Sequence, residues 1–272
     1  GTISRWESST SSNFTTVTNI TNTLSAYTAT NLPTTTYFRV LMVNGSCSAY
    51  SSSAVVNIDS SSVGGTVAGS ATKCQGTNST TLTLSGYRGN IQWQDSSDVN
   101  GFRNISGATL ASYTAQNLTT TTKYRVVVTN GVCTAANSTT GTVTINPLSV
   151  GGTASGDTTV CQTANSVTVR LAGNTGTIQW QSATLNGTFA NITGATTATY
   201  TSATRLNETT RFRAVVTSGV CAPANSSTAT INVNTASVGG TVAVTTSNPI
   251  CTGAGNSVTF SSVKGAIRRK MM

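Results

Sequence analysis

The sequence contains no histidine, and only six of its 272 residues are acidic. General acid–base and nucleophilic catalysis need positioned titratable groups. The abundant serines and threonines have no histidine partner, so a nucleophilic triad is excluded. Among the acids, Glu7, Asp59, Asp95, Asp98, Asp157 and Glu208, only Asp95 and Asp98 lie close together. Their segment, 95–101, offers oxygen ligands that suit calcium, but its spacing departs from the EF-hand loop. A polar turn is the better reading. With no histidine and no Cys-x-x-Cys pair, zinc is not expected. No glycine-rich phosphate loop opens a helix. The chain reads as a non-enzyme with no cofactor and no metal site.

Other shortages narrow the class further. No run approaches the eighteen apolar residues of a membrane-spanning helix. Charged residues are 8% and aromatics 6% of the chain. The net charge of +9 mostly reflects the scarcity of acids. Apart from Lys264, Arg268, Arg269 and Lys270, the cations are scattered. Nucleic acid would call for a clustered stripe interleaved with aromatics, so it is not an expected partner. The chain opens on Gly1-Thr2-Ile3, which reads as a strand rather than a signal peptide.

What is abundant is Thr, Ser, Asn, Gly, Val and Ala. Thr and Val suit pleated surfaces, while Gly, Asn and Ser suit turns, so an all-β fold with many short strands follows. Hydrophobic residues reach 37%, enough for a folded chain rather than a disordered one. Self-comparison gives the organisation. Ser62-Val63-Gly64-Gly65-Thr66 recurs at 149–153 and 237–241, and Trp6, Trp93 and Trp180 recur every 87 residues. A period near 87 is too long for a solenoid unit and fits one small sandwich repeated like beads. The expected architecture is a tandem array of immunoglobulin-like antiparallel β-sandwich repeats. Residues 1–61 are the C-terminal part of one repeat, 62–148 and 149–236 are complete repeats, and 237–272 are the N-terminal part of another. Linkers are expected at 59–62, 146–149 and 234–237.

Period-2 alternation assigns the core within each repeat. Leu82 and Leu84, then Ile91 and Trp93, then Tyr124, Val126 and Val128 share the inner face of the second repeat. Val167, Val169, Leu171, Trp180, Phe212, Ala214 and Val216 do so in the third. Trp6, Trp93, Trp180, Tyr124 and Phe212 are therefore core residues rather than sugar-stacking platforms. Asn130-Gly131 is a hairpin turn signal. Ile3 and Trp6 stand three apart, where Ile91 and Trp93 stand two apart, which predicts a β-bulge near Ser4-Arg5. Arg39, Arg125 and Arg213 recur on the outer face of the long strand. A solvated edge or cross-strand pairing is the better reading for them than an anionic polysaccharide. Asn-x-Ser/Thr triplets at Asn104, Asn117, Asn137, Asn191 and Asn207 matter only in a host that glycosylates asparagine.

The six cysteines come two per period. Separations of 59 and 60 residues suggest the pairs Cys74–Cys133 and Cys161–Cys221, each contributing about 4 kcal/mol if unstrained. Disulfides imply an oxidising, extracellular or cell-surface location. Cys47 and Cys251 have no partner within their own repeats. They are unpaired within the chain or bonded between chains. The two end segments are complementary halves of one repeat. Either the chain is part of a longer array, or the end of one chain completes the start of another by strand donation. A Cys47–Cys251 bond between chains would mark the second case.

Several stretches together resemble a known family: Ser-Val-Gly-Gly-Thr, Gly-Thr-Ile-Gln-Trp-Gln (176–181), Asn-Ile-Thr-Gly-Ala-Thr (191–196) and Phe-Arg-Ala-Val-Val-Thr-Ser-Gly-Val-Cys (212–221). They resemble the Ig-like repeats of giant cell-surface adhesins of Bacteroidota, the SprB type of gliding-motility adhesin. The resemblance implies a filament exported by type IX secretion, touching a substratum or surface polysaccharide, with no catalytic residues to carry over. Its partners would be neighbouring repeats or copies of itself and the secretion machinery. A self-assembling extracellular filament subunit and a carbohydrate-binding array are the alternatives. The latter would need exposed aromatics repeated on one face of every domain.

Overall fold

Strand-favouring alternation runs through the whole chain, and strands are what it forms. The computed structural model describes residues 1–97, 101–162, 166–244, 249, 251–253, 255 and 257–261, and they contain strands, turns and no helix. Asp98, Lys264 and the segment 265–270 lie outside the described residues. The chain divides into two compact units. One is Gly1–Thr72 with Gly76–Ile145, the other Lys73–Gln75 with Asn146–Met272.

In the first repeat, β1 (Thr2–Ser9), β2 (Thr18–Ile20), β3 (Thr36–Asn44), β4 (Cys47–Tyr50) and β5 (Ala54–Val56) form one antiparallel sheet. The β1–β3 register shifts between Ile3 and Arg5, which is the bulge that the Ile3–Trp6 spacing predicts. The second repeat comprises β6 (Thr66–Ala68), β7 (Ala71–Cys74), β8 (Ser79–Ser85), β9 (Asn90–Ser96), β10 (Arg103–Asn104), β11 (Ser112–Gln116), β12 (Thr122–Thr129), β13 (Ala136–Asn137) and β14 (Gly141–Asn146). They make a three-stranded sheet, β11-β8-β6, facing a larger one, β10-β9-β12-β14-β7, with β13 against β12.

The third repeat follows the same plan with β15 (Thr153–Ser155), β16 (Thr158–Cys161), β17 (Thr168–Ala172), β18 (Thr177–Thr184), β19 (Ala190–Asn191), β20 (Thr199–Thr201), β21 (Thr210–Thr217), β22 (Ala224–Asn225) and β23 (Ala229–Asn234). Its sheets are β15-β17-β20 and β16-β23-β21-β18-β19. Beyond it, β24 (Thr241–Val244) and β25 (Val258–Ser261) pair in the manner of β6 and β8.

The two complete repeats are immunoglobulin-like sandwiches with the alternating residues of both sheets inside. In the second repeat Leu82, Leu84, Trp93, Tyr124, Val126 and Val128 form one buried cluster; in the third, Val169, Leu171, Trp180, Phe212, Ala214 and Val216 do. Each buried indole N–H is satisfied: Trp93 Nε1 donates to Leu110 O at 2.8 Å and Trp180 Nε1 to Thr197 O at 2.9 Å. Trp6 repeats the bond to Leu24 O at 3.0 Å but is only half-buried. Among the described residues the first repeat has the large sheet alone, so no strand covers Trp6 as β8 covers Trp93. Its expected place in a closed core is corrected on that ground.

Candidate functional site

Three features recur once per repeat: the core tryptophan, an arginine on the long strand, and the joint where one repeat hands over to the next. The tryptophans of the complete repeats are fully buried and present no face to a ligand. Among the described residues the exposed aromatics Tyr27, Tyr50, Tyr87 and Phe260 sit at four different positions of the repeat, and the counterparts of Tyr27, Tyr113 and Tyr200, are half-buried against the core rings, so they form no repeated exposed binding row.

The arginines are engaged across strands. Arg39 stands opposite Glu7, Arg125 opposite Gln94, and Arg213 opposite Gln181. Arg125 Nε donates to Gln94 Oε1 at 2.8 Å and Arg213 Nε to Gln181 Oε1 at 2.9 Å. Each guanidinium also lies over an aromatic ring: Phe14 and Tyr50 for Arg39, Phe102 for Arg125 and Phe189 for Arg213. In the first repeat the glutamine is replaced by Glu7, which is 1% exposed and ion-paired to Arg5 at 2.7 Å and Arg39 at 2.8 Å. Burial pushes the Glu7 carboxyl up, but the hydrogen bonds and charges of Arg5 and Arg39 outweigh it and hold it below the usual carboxylate range.

The joints carry the covalent chemistry. In the third repeat β16 runs parallel to β23, with Cys161 opposite Asn234, the last residue of that strand. Gln162 N donates to Asn234 O at 2.9 Å, and Gln75 N donates to Asn146 O at 2.8 Å. The first cysteine of each repeat is thereby delivered to the pole where the repeat ends. The second cysteine lies at the other pole, past the far end of β12 or β21. Thr122, the first residue of β12, stands opposite Val143 near the exit pole, and Cys133 lies beyond Thr129. The seven steps from Thr122 to Thr129 alone cover about 23 Å at about 3.3 Å each. A disulfide tolerates a Cα separation of only about 7 Å.

The expected Cys74–Cys133 and Cys161–Cys221 pairs are therefore corrected. Cys74 is bonded to Cys221 of the next repeat, with a Cα–Cα distance of 5.0 Å and a sequence separation of 147. Cys133 is half-buried and in no disulfide, and Cys47 and Cys251 are exposed.

Around that bond the linker is clamped by hydrogen bonds. Asn146 Oδ1 accepts from Val220 N at 3.2 Å, and Ser149 Oγ accepts from Ser218 N at 2.9 Å. Cys221 Sγ lies 3.6 Å from Asn146 O and 3.1 Å from Pro147 O. The joint after the first repeat repeats the clamp residue for residue. Asp59 Oδ2 accepts from Val132 N at 3.0 Å, Ser62 Oγ accepts from Asn130 N at 3.0 Å, and Cys133 Sγ lies 3.4 Å from Asp59 O. Gly131 and Gly219 turn these loops with φ of 52° each, and a Cβ on either would collide with the Asp59 or Asn146 side chain. Sequence reasoning places Asp59 and Asn146 at the starts of linkers but assigns them no clamping role. Their 87-residue spacing, matched to that of the tryptophans, was the available signal.

A family model described as a domain of unknown function (DUF8696) matches residues 1–60, 63–147 and 150–235. No curated protein matches the chain. The chain is similar to many solved structures, two of which are the following. A crystal structure of the mouse coronavirus receptor-binding domain complexed with its murine receptor matches at 15% identity and TM-score 0.43, over 62% of this chain and 100% of that one. A crystal structure of the chicken CNTN1 FN1-FN3 domains matches at 12% identity and TM-score 0.28, over 84% of this chain and 90% of that one.

Proposed function

We propose that this chain, which belongs to the DUF8696 family of domains of unknown function, is a structural and adhesive stalk segment. Its repeats are non-catalytic spacers of an extracellular, cell-surface filament. The observation that carries this reading is the Cys74–Cys221 bond. A disulfide inside one domain protects that domain; one that spans a joint protects the order of domains along a line. Tension applied along the chain would pass through sulfur at this joint and bypass the intervening fold. The clamps at Asp59 and Asn146 add hydrogen bonds at the same places.

A stable disulfide favours an oxidising compartment, which supports location outside the cytosol. The resemblance to Bacteroidota surface adhesins supports export by type IX secretion and contact with a substratum or its polysaccharide. It supports a role in gliding or attachment in the same degree. The engaged arginines and buried tryptophans favour the stalk over a carbohydrate-binding array.

Single-molecule stretching tests the reading. Under oxidising conditions the loop closed by the bond stays hidden from force, and reductant releases it. A loop of 147 residues corresponds to about 500 Å of contour at about 3.5 Å per residue. Unchanged extension with and without reductant would refute the stalk mechanism.

A further inference from the structure

The two sulfurs of the Cys74–Cys221 bond stand in unequal surroundings. Cys221 is 4% exposed, whereas Cys74 is half-buried. Cys221 Sγ also has Asn146 O at 3.6 Å and Pro147 O at 3.1 Å, two oxygens whose negative ends oppose an approaching thiolate. Thiol–disulfide exchange begins with attack of a thiolate on the sulfur that it can reach. At this joint that sulfur belongs to Cys74.

Asn146 holds both sides of the bond. Its carbonyl oxygen accepts from Gln75 N at 2.8 Å, next to Cys74, and its Oδ1 accepts from Val220 N at 3.2 Å, next to Cys221. Ser149 Oγ accepts from Ser218 N at 2.9 Å in the same turn. None of these hydrogen bonds passes through sulfur. The joint after the first repeat has the same clamp, from Asp59 and Ser62, around Cys133, which is in no disulfide. The clamp therefore forms without the bond, and breaking the bond leaves the two sulfurs as neighbours.

We propose that Cys74 is an S-thiolation site for low-molecular-weight thiols, with Cys221 as the resolving cysteine and Asn146 as the residue that positions both. The thiolate attacks Cys74 Sγ, the Cys74–Cys221 bond breaks, and Cys221 leaves as a thiolate that takes a proton from water. The resulting Cys221 thiol donates to Pro147 O, as the Cys133 thiol does to Asp59 O. In the return step Cys221 gives up that proton, attacks Cys74 Sγ and expels the small thiol. The mixed disulfide keeps the oxidation state of the original bond, so resealing needs no fresh oxidant. Held side by side, the two sulfurs reclose faster than a second small thiol removes the first. This inference rests on the stapled-joint reading above.

The test exposes the purified oxidised chain to reduced glutathione, quenches with acid at set times, alkylates and maps the adducts by mass. Glutathione on Cys74 should exceed that on Cys221 by about tenfold or more. Once glutathione is removed, the unmodified chain should return to Cys74–Cys221, whereas Cys221→Ser, loaded at Cys74 with oxidised glutathione, should keep its adduct. Asn146→Ala should slow the return about tenfold, the scale of one lost hydrogen bond. Asn146→Asp, which keeps an acceptor as Asp59 does, should restore it. Unchanged amide protection at Trp180 certifies the fold of each variant, and mapping of the unmodified chain decides the entry point even where a variant fails to fold. Adducts mainly or equally on Cys221, no adduct on Cys74, or a Cys74 adduct that persists in the unmodified chain would each overturn the proposal. Absence of the Cys74–Cys221 peptide before any thiol is added would instead overturn the stalk reading.

Discussion

Cys74, at the end of a strand in one repeat, is bonded to Cys221 in the turn between β21 and β22 of the next, 147 residues further along. The pairing follows from strand direction. A strand parallel to the last strand of the repeat must finish where the repeat finishes, and a cysteine at its end faces the neighbour. The other cysteine, beyond the far end of the long strand, faces the neighbour before. At the joint between the second and third repeats the covalent bond therefore lies between neighbours rather than inside one repeat.

The first repeat should be the acid-sensitive one. The carboxyl of Glu7 is held below its ordinary value, so its ion pairs stabilise the fold above that value. That contribution is lost as pH falls through the lowered folded value. Glu7→Gln keeps one hydrogen bond to Arg39, as Gln94 and Gln181 do with their arginines. It should cost about 2 kcal/mol at pH 7, the scale of hydrogen bonds to charged groups. Denaturant melts should show that difference shrinking towards zero at acid pH. A difference that stays constant with pH would contradict the buried ion-pair account.

At the alkaline end Tyr124 governs the second repeat. Burial, with smaller contributions from Tyr113 and Asp95, pushes its hydroxyl up to about 12. The fold favours the neutral phenol, so this contribution is complete below the ordinary value near 10 and is lost as pH rises from there to about 12. Tyr124→Phe should flatten the fall in stability over that window. An identical alkaline profile in the variant would count against it.

Gly219 and Gly107 make a controlled comparison. Both have positive φ, 52° and 73°, but an added Cβ at Gly107 meets nothing within 4 Å, whereas at Gly219 it runs into Asn146. Gly107→Ala should cost the backbone strain alone, about 1–2 kcal/mol. Gly219→Ala should cost more and should loosen the linker, read as faster amide exchange at Val220. Equal costs at the two sites would show that the Asn146 clamp contributes little.

Alternation made the sandwich legible. Leu82, Leu84, Trp93, Tyr124 and Phe212 follow a period of two that survives intact in the folded repeats, and the odd spacing of Ile3 and Trp6 marks the bulge. The cysteine pairing was not legible. Two cysteines per period suggest a bond within the period, and nothing local reports that β16 lies parallel to a strand some seventy residues away in sequence. A parallel neighbour leaves no hairpin turn to read. Trp6 looks identical to Trp93 in sequence, and its exposure depends on which sheet lies opposite.

Mass mapping of the oxidised chain without reduction tests the central claim most directly. The account predicts a linked peptide pair joining Cys74 to Cys221. Recovery of Cys74 joined to Cys133, with Cys161 joined to Cys221, would contradict it.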